Sequence, residues 1–141
     1  MLPLRNKIVR LDGTKSYNRA RISNVDVQGD VFKLYNEEGY RVVSLGTEEY
    51  MTGAKEYIIT YLYDIGKDKG IGFDEFYFNI IGDNWDTTIE GIEFTITMPK
   101  SFDASVLGFS SGEKRSTDNS NITYKVNGNV ISGKYDGILK S

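Results

Sequence analysis

An all-β chain folded as an antiparallel β-sandwich, Ig-like or related, with about seven to nine strands, is what the sequence predicts. Ten tyrosines, seven phenylalanines and fifteen glycines against two prolines in 141 residues match aromatic strands punctuated by glycine turns. Apolar residues recur at every second position in several segments, the period of a strand with one face buried. Asn127-Gly128 lies between two β-forming runs, the strongest short hairpin signal, because both turn residues are expected at positive φ. No segment carries a helical stripe of convincing length.

Taken in chain order, Lys7–Leu11, Ala20–Val27, Val31–Tyr35 and Tyr40–Leu45 are the first expected strands, with turns at Asp12-Gly13, Gly29-Asp30 and Glu38-Gly39. Thr47–Gly53 has room for a single helical turn at most. Lys55 to Tyr63 places Tyr57, Ile59, Tyr61 and Tyr63 on one side and Ile58 and Leu62 on the other, the pattern of a central strand covered on both faces. After a turn at Lys69-Gly70, Phe76, Phe78 and Ile80 share one face of an expected strand, with Glu75, Tyr77 and Asn79 on its back. Ile92, Phe94, Ile96 and Met98 alternate with Glu93, Thr95 and Thr97, and Pro99 ends that strand. Ser105–Phe109 is a weaker strand candidate. Ser110–Asn121, rich in Ser, Asp and Asn and turning at Ser111-Gly112, has the composition of a mobile loop. Ile122, Tyr124 and Val126 then lead through Asn127-Gly128 to Val130-Ile131. Residues 1–141 are expected to form one domain, since no linker or internal repeat interrupts them.

The net charge is −3, from 17 basic and 20 acidic residues, and it is unevenly spread. Arg5, Lys7, Arg10, Lys15, Arg19 and Arg21 crowd the first 21 residues against Asp12 alone, whereas the middle of the chain is acidic. A solvated basic surface is the simple reading; a basic edge facing anionic lipid or cell-wall polymer is the functional one. No nucleic-acid motif accompanies the charges, so nucleic acid is not an expected partner. The chain has no histidine and no cysteine. That removes imidazole and thiolate catalysis, Cys-based zinc sites and disulfides, and leaves carboxylate, Lys, Tyr, Ser or Thr chemistry. No apolar run approaches the roughly 18 residues that span a bilayer, and the opening Met1-Leu2-Pro3-Leu4-Arg5 is not a secretory signal.

Three constellations bear on chemistry. Asp64, Asp68, Ile71 and Glu75 fall at positions 1, 5, 8 and 12 of a calcium loop, but Gly66 offers no ligand at position 3 and Lys69 stands where glycine is needed. A connecting loop is the better reading, and no metal or cofactor is expected. The run Asp83-Asn84-Trp85-Asp86 contains the sole tryptophan. With Glu75 and Tyr77 it makes a possible ligand surface: Trp85 as a stacking platform for sugar, Asp83 and Asp86 holding hydroxyls, or else Trp85 as a packing anchor beside two solvated acids. Glu75, Glu90 and Glu93 could supply the carboxylate pair of a glycosidase, although any acidic sheet offers such pairs. No catalytic residue is assigned, and a non-enzymatic protein is expected.

Between Gly53 and Pro99 stand the Tyr-rich run Tyr57-Ile58-Ile59-Thr60-Tyr61 and the stretch Asp74-Glu75-Phe76-Tyr77-Phe78-Asn79-Ile80-Ile81-Gly82. On these motifs the chain resembles the extracytoplasmic domain of YciQ-like predicted bacterial membrane proteins, a family of unknown function. Trp85 and the strand ending Met98-Pro99 extend the resemblance, as does Leu2-Pro3-Leu4-Arg5, similar to the family's I-P-L-R segment. Family members carry tryptophan at the place of Phe78 and proline at the place of Thr88, and have further strands before I-P-L-R. The resemblance implies a β-rich piece of a longer, membrane-tethered protein on the extracytoplasmic face of the cell membrane, meeting another protein or a cell-envelope polymer. A carbohydrate-binding module built on Trp85 and exposed tyrosines is the alternative.

Overall fold

The computed structural model of the chain describes residues 1–9, 13–47, 52–67, 72–82, 85, 87–113 and 116–140, with backbone alone at 6 and 8. The fold is all-β and antiparallel throughout, consistent with a β-sandwich. The described strands are β1 (Leu2–Pro3), β2 (Arg5–Val9), β3 (Lys15–Arg19), β4 (Arg21–Gln28), β5 (Phe32–Glu37), β6 (Tyr40–Leu45), β7 (Ile58–Asp64), β8 (Ile89–Thr97), β9 (Ile122–Asn127) and β10 (Val130–Leu139). The two-residue β1 aside, nine strands of five residues or more are described. The chain divides into two compact units, Met1–Gly82 and Asp83–Ser141.

The first unit holds three small sheets: β1-β6-β5, β2-β3 and β4-β7. Pro3 and Leu4 join them. The Leu4 N–H donates to the Gly39 carbonyl in the β5–β6 turn, the Ala20 N–H donates to the Leu4 carbonyl, and the Tyr63 hydroxyl of β7 donates to the Pro3 carbonyl at 2.8 Å. Around this junction Leu2, Ala20, Val27 and Val42 are buried. The β5–β6 turn, Glu38-Gly39, has both residues at positive φ, 47° and 87°. That is the geometry of a type I′ hairpin, whose twist matches the strands it joins. In β4 the register slips between Ser23 and Asp26, where Asn24 takes φ 52°, a bulge at one of the few residues that tolerate the left-handed region.

The second unit is the sheet β8-β10-β9. Ile92, Phe94 and Ile96 are half-buried while Glu93, Thr95 and Thr97 are exposed, as the alternation requires. Gly133 of the central β10 faces Phe94 on one side and Tyr124 on the other, and Phe109 touches both rings at centroid distances of 5.1 and 4.9 Å. Ile131, 2% exposed, is the deepest residue of this unit.

Several expectations are corrected. Residues 73–80 form no strand. Side-chain alternation reports which way residues point, not whether a neighbouring backbone is in reach. Phe78 is instead held by rings, at 4.7 Å from Tyr63, 6.3 Å from Tyr61 and 6.0 Å from Phe76. The segment Ser105–Phe109 is likewise no strand. Asp103 caps a 3₁₀ turn, Ala104–Val106, by accepting the Ser105 N–H, and that local bond draws the backbone away from an extended ladder. Strand β7 is neither central nor doubly covered: its one described ladder partner is β4, and Ile58 and Leu62 are 52% and 56% exposed. The β9–β10 loop is Gly128-Asn129, one residue later than expected, and only Gly128 has positive φ, 60°. This is the type II′ pattern, and it frees the Asn129 amide to donate to the Met98 carbonyl at 2.7 Å. The expected turns at Asp12-Gly13 and Lys69-Gly70, and the turn within Thr47–Gly53, lie partly or wholly outside the described residues.

Candidate functional site

The basic beginning of the chain becomes one surface. β2 and β3 pair antiparallel with Arg5 opposite Arg19, Lys7 opposite Tyr17 and Val9 opposite Lys15. Alternate residues share a face, so this register gathers Arg5, Lys7, Lys15 and Arg19 with Val9 and Tyr17 on one side of the ribbon. All six are exposed, Tyr17 at 64% and Val9 at 56%. Among the described residues no acid stands among them and none of the four cations forms an ion pair.

On the other side of the ribbon β3 places Ser16 and Asn18. Ser16 is half-buried and Asn18 is buried, and the Ser16 hydroxyl oxygen and the Asn18 amide nitrogen have no hydrogen-bond partner. Buried polar atoms without partners cost stability, and like charges directly opposite across a ladder repel. A two-stranded ribbon with both handicaps has little of its own to hold it. Its attachment comes through the chain on either side, at Leu4 and Ala20.

At the Arg5–Arg19 end the face runs into an open cleft of about 740 Å³, lined by Leu4, Arg5, Arg19, Ala20, Arg21, Glu38 and Gly39. Arg21 is already engaged, its guanidinium meeting Asp64 at 2.8 Å. The Gly66 N–H, also bonded to Asp64, and Arg21 together hold that carboxyl below the usual carboxylate range. Asp64 is also the first position of the calcium-loop spacing, so its two oxygens have other partners; Asp68 and Ile71 lie outside the described residues. Among the described residues no cluster of carboxylates is arranged to hold a metal ion.

The residues expected from sequence to form a ligand surface are divided between the two units. Glu75, half-buried, and Tyr77, 64% exposed, belong to the first; Trp85, half-buried, belongs to the second. Asp83 and Asp86 lie outside the described residues. Of the carboxylates weighed for glycoside chemistry, Glu90 and Glu93 are both exposed on β8, where Gly91 at φ 63° and the slipped register opposite Tyr135–Ile138 shift the alternation. Glu75 is in the other unit.

Tyr17, Val9 and the pairing of the cations escaped the sequence reading, which registered only the local charge. The signal was nonetheless there: Arg5, Lys7, Lys15 and Arg19 all stand at odd positions, and Arg5 and Arg19 are each seven residues from Asp12. β3 carries no apolar alternation, and that hid it.

Neither the curated proteins nor the solved structures include a match to this chain. The family description "Predicted membrane protein (DUF2207) N-terminal domain" matches residues 5–135, nearly the whole chain and all of the cationic hairpin. The chain belongs to this family of N-terminal domains of predicted membrane proteins.

Proposed function

We propose that this chain is the non-enzymatic, extracytoplasmic part of a YciQ-like bacterial membrane protein and that it works by contact, holding a polyanionic component of the cell envelope on the β2–β3 face. The observation that carries this reading is the set of four exposed cations on one ribbon face that form no ion pair among the described residues. Their mutual repulsion is a cost the fold itself does not recover, and a negatively charged partner relieves it. Membership in a family of predicted membrane proteins supports an envelope setting, and the resemblance to YciQ-like ectodomains supports the extracytoplasmic side. Among the described residues no helix is long and apolar enough to cross a membrane.

The test is retention on immobilised polyphosphate with increasing salt. The parent chain is expected to elute late, and the variant combining Arg5→Gln, Lys7→Gln, Lys15→Gln and Arg19→Gln to elute early with an unchanged circular dichroism spectrum. Equal retention of the two would overturn the reading. A carbohydrate-binding role has the exposure of Tyr77 in its favour. It requires binding to neutral glycan that is lost with Tyr77→Ala and Trp85→Ala and kept when the four cations are removed.

A further inference from the structure

We propose that the occupant of the β2–β3 face is an anionic lipid surface: Arg5, Lys7, Lys15 and Arg19 meet headgroup phosphates while Tyr17 and Val9 rest at the headgroup boundary. This rests on the polyanion-binding reading above and names its partner.

The make-up of the face separates lipid from other polyanions. A phosphate polymer needs cations alone, and it would leave the Tyr17 ring and the Val9 side chain, both more than half exposed, in water. A bilayer boundary takes both kinds of group at once, since tyrosine settles at headgroup level with its ring toward the acyl region and its hydroxyl toward water. The register puts the two residues between the charges: Tyr17 lies opposite Lys7 and next but one to both Lys15 and Arg19, and Val9 lies opposite Lys15. The long Lys and Arg stems can lie along that apolar patch while their heads reach phosphate.

Shape agrees. Five paired residues make a ribbon roughly 17 Å long and two strands wide, a low surface suited to a plane of headgroups. At its Arg5–Arg19 end the cleft of about 740 Å³ has room for a headgroup, with Glu38 the single carboxylate among the described residues of its wall. Orientation follows as well, because a domain carried by a membrane protein meets its own bilayer at high effective concentration, so modest affinity is enough.

The experiment is co-sedimentation of the 141-residue chain with vesicles of phosphatidylcholine alone and with vesicles that also contain phosphatidylglycerol. Binding is expected only to the second, weakening about fivefold for each of Arg5→Gln, Lys7→Gln, Lys15→Gln and Arg19→Gln, since a cation near an anionic surface is worth about 1 kcal/mol. Lys33→Gln, on β5, is expected to leave binding unchanged. Tyr17→Ser decides between the sources: it is expected to weaken vesicle binding while leaving retention on polyphosphate intact. If anionic vesicles sediment no more chain than neutral ones, or Tyr17→Ser binds them as the parent does, the lipid assignment is overturned while polyphosphate retention still supports the broader reading. Duplex DNA bound more tightly than anionic vesicles at the same salt would also overturn it. Loss of discrimination on polyphosphate itself would overturn both.

Discussion

Tyr61 shows what one half-buried side chain contributes. Its ring packs toward Phe78, and burial, with a smaller contribution from neighbouring Tyr63, pushes its phenol up to about 12. Tyr63 is raised by burial too, its hydroxyl bonded to the Pro3 carbonyl. In the unfolded chain a tyrosine ionises near pH 10, so between pH 10 and 12 the unfolded state gives up a proton that the folded state retains. The stabilisation is therefore complete below pH 10 and is lost as pH rises through that window. Urea unfolding on either side of the window is expected to show this loss in the parent and a smaller one in Tyr61→Phe. Equal losses would rule out Tyr61 as the source. That Tyr61 and Tyr63 share a side was legible from their spacing. Their ring partner was legible only as a strand residue, since an extended segment held by aromatic contacts has the same alternation as one held by a ladder.

At the level of elements, the β8–β10–β9 sheet is built around a missing side chain. A Cβ on Gly133 would lie 2.4 Å from Phe94 Cζ. The ring occupies the place a side chain would take, and Phe109 holds it there. Gly133→Ala is expected to drive Phe94 from this position and cost about 1–3 kcal/mol in chemical denaturation, the usual range for overpacking. A loss under about 0.5 kcal/mol, typical of surface changes, would mean that the ring moves freely. β8, with its apolar alternation, was legible close to its bounds, and β6 was legible with the bounds expected. β3 was not legible, because it turns Ser16 and Asn18 inward and Tyr17 outward, against the usual sorting. β10 runs to Leu139, well past Val130-Ile131, because Gly133 and Gly137 break the apolar pattern that marks a strand. Ser105–Phe109 failed for a local reason, the bond from the Ser105 N–H to Asp103, which alternation does not weigh.

For the whole molecule, charge is sorted by position in the chain more sharply than its net −3 suggests. The sorting was legible in sequence; its concentration on one ribbon face was not, since that depends on the register of β2 against β3. The placing of Arg5 directly opposite Arg19 has a thermodynamic consequence. Any anion that binds the folded ribbon and not the unfolded chain adds its binding free energy to folding, about 2.7 kcal/mol at a hundredfold excess over Kd. Melting temperature is then expected to rise further in polyphosphate than in sodium chloride of equal ionic strength, and Arg19→Gln to flatten the difference. Identical melting in the two salts would count against it. Bulk screening acts on all charges, whereas a multivalent anion acts on the pair. On this account the hairpin is an element whose stability is set from outside the polypeptide, by whatever negative charge surrounds it.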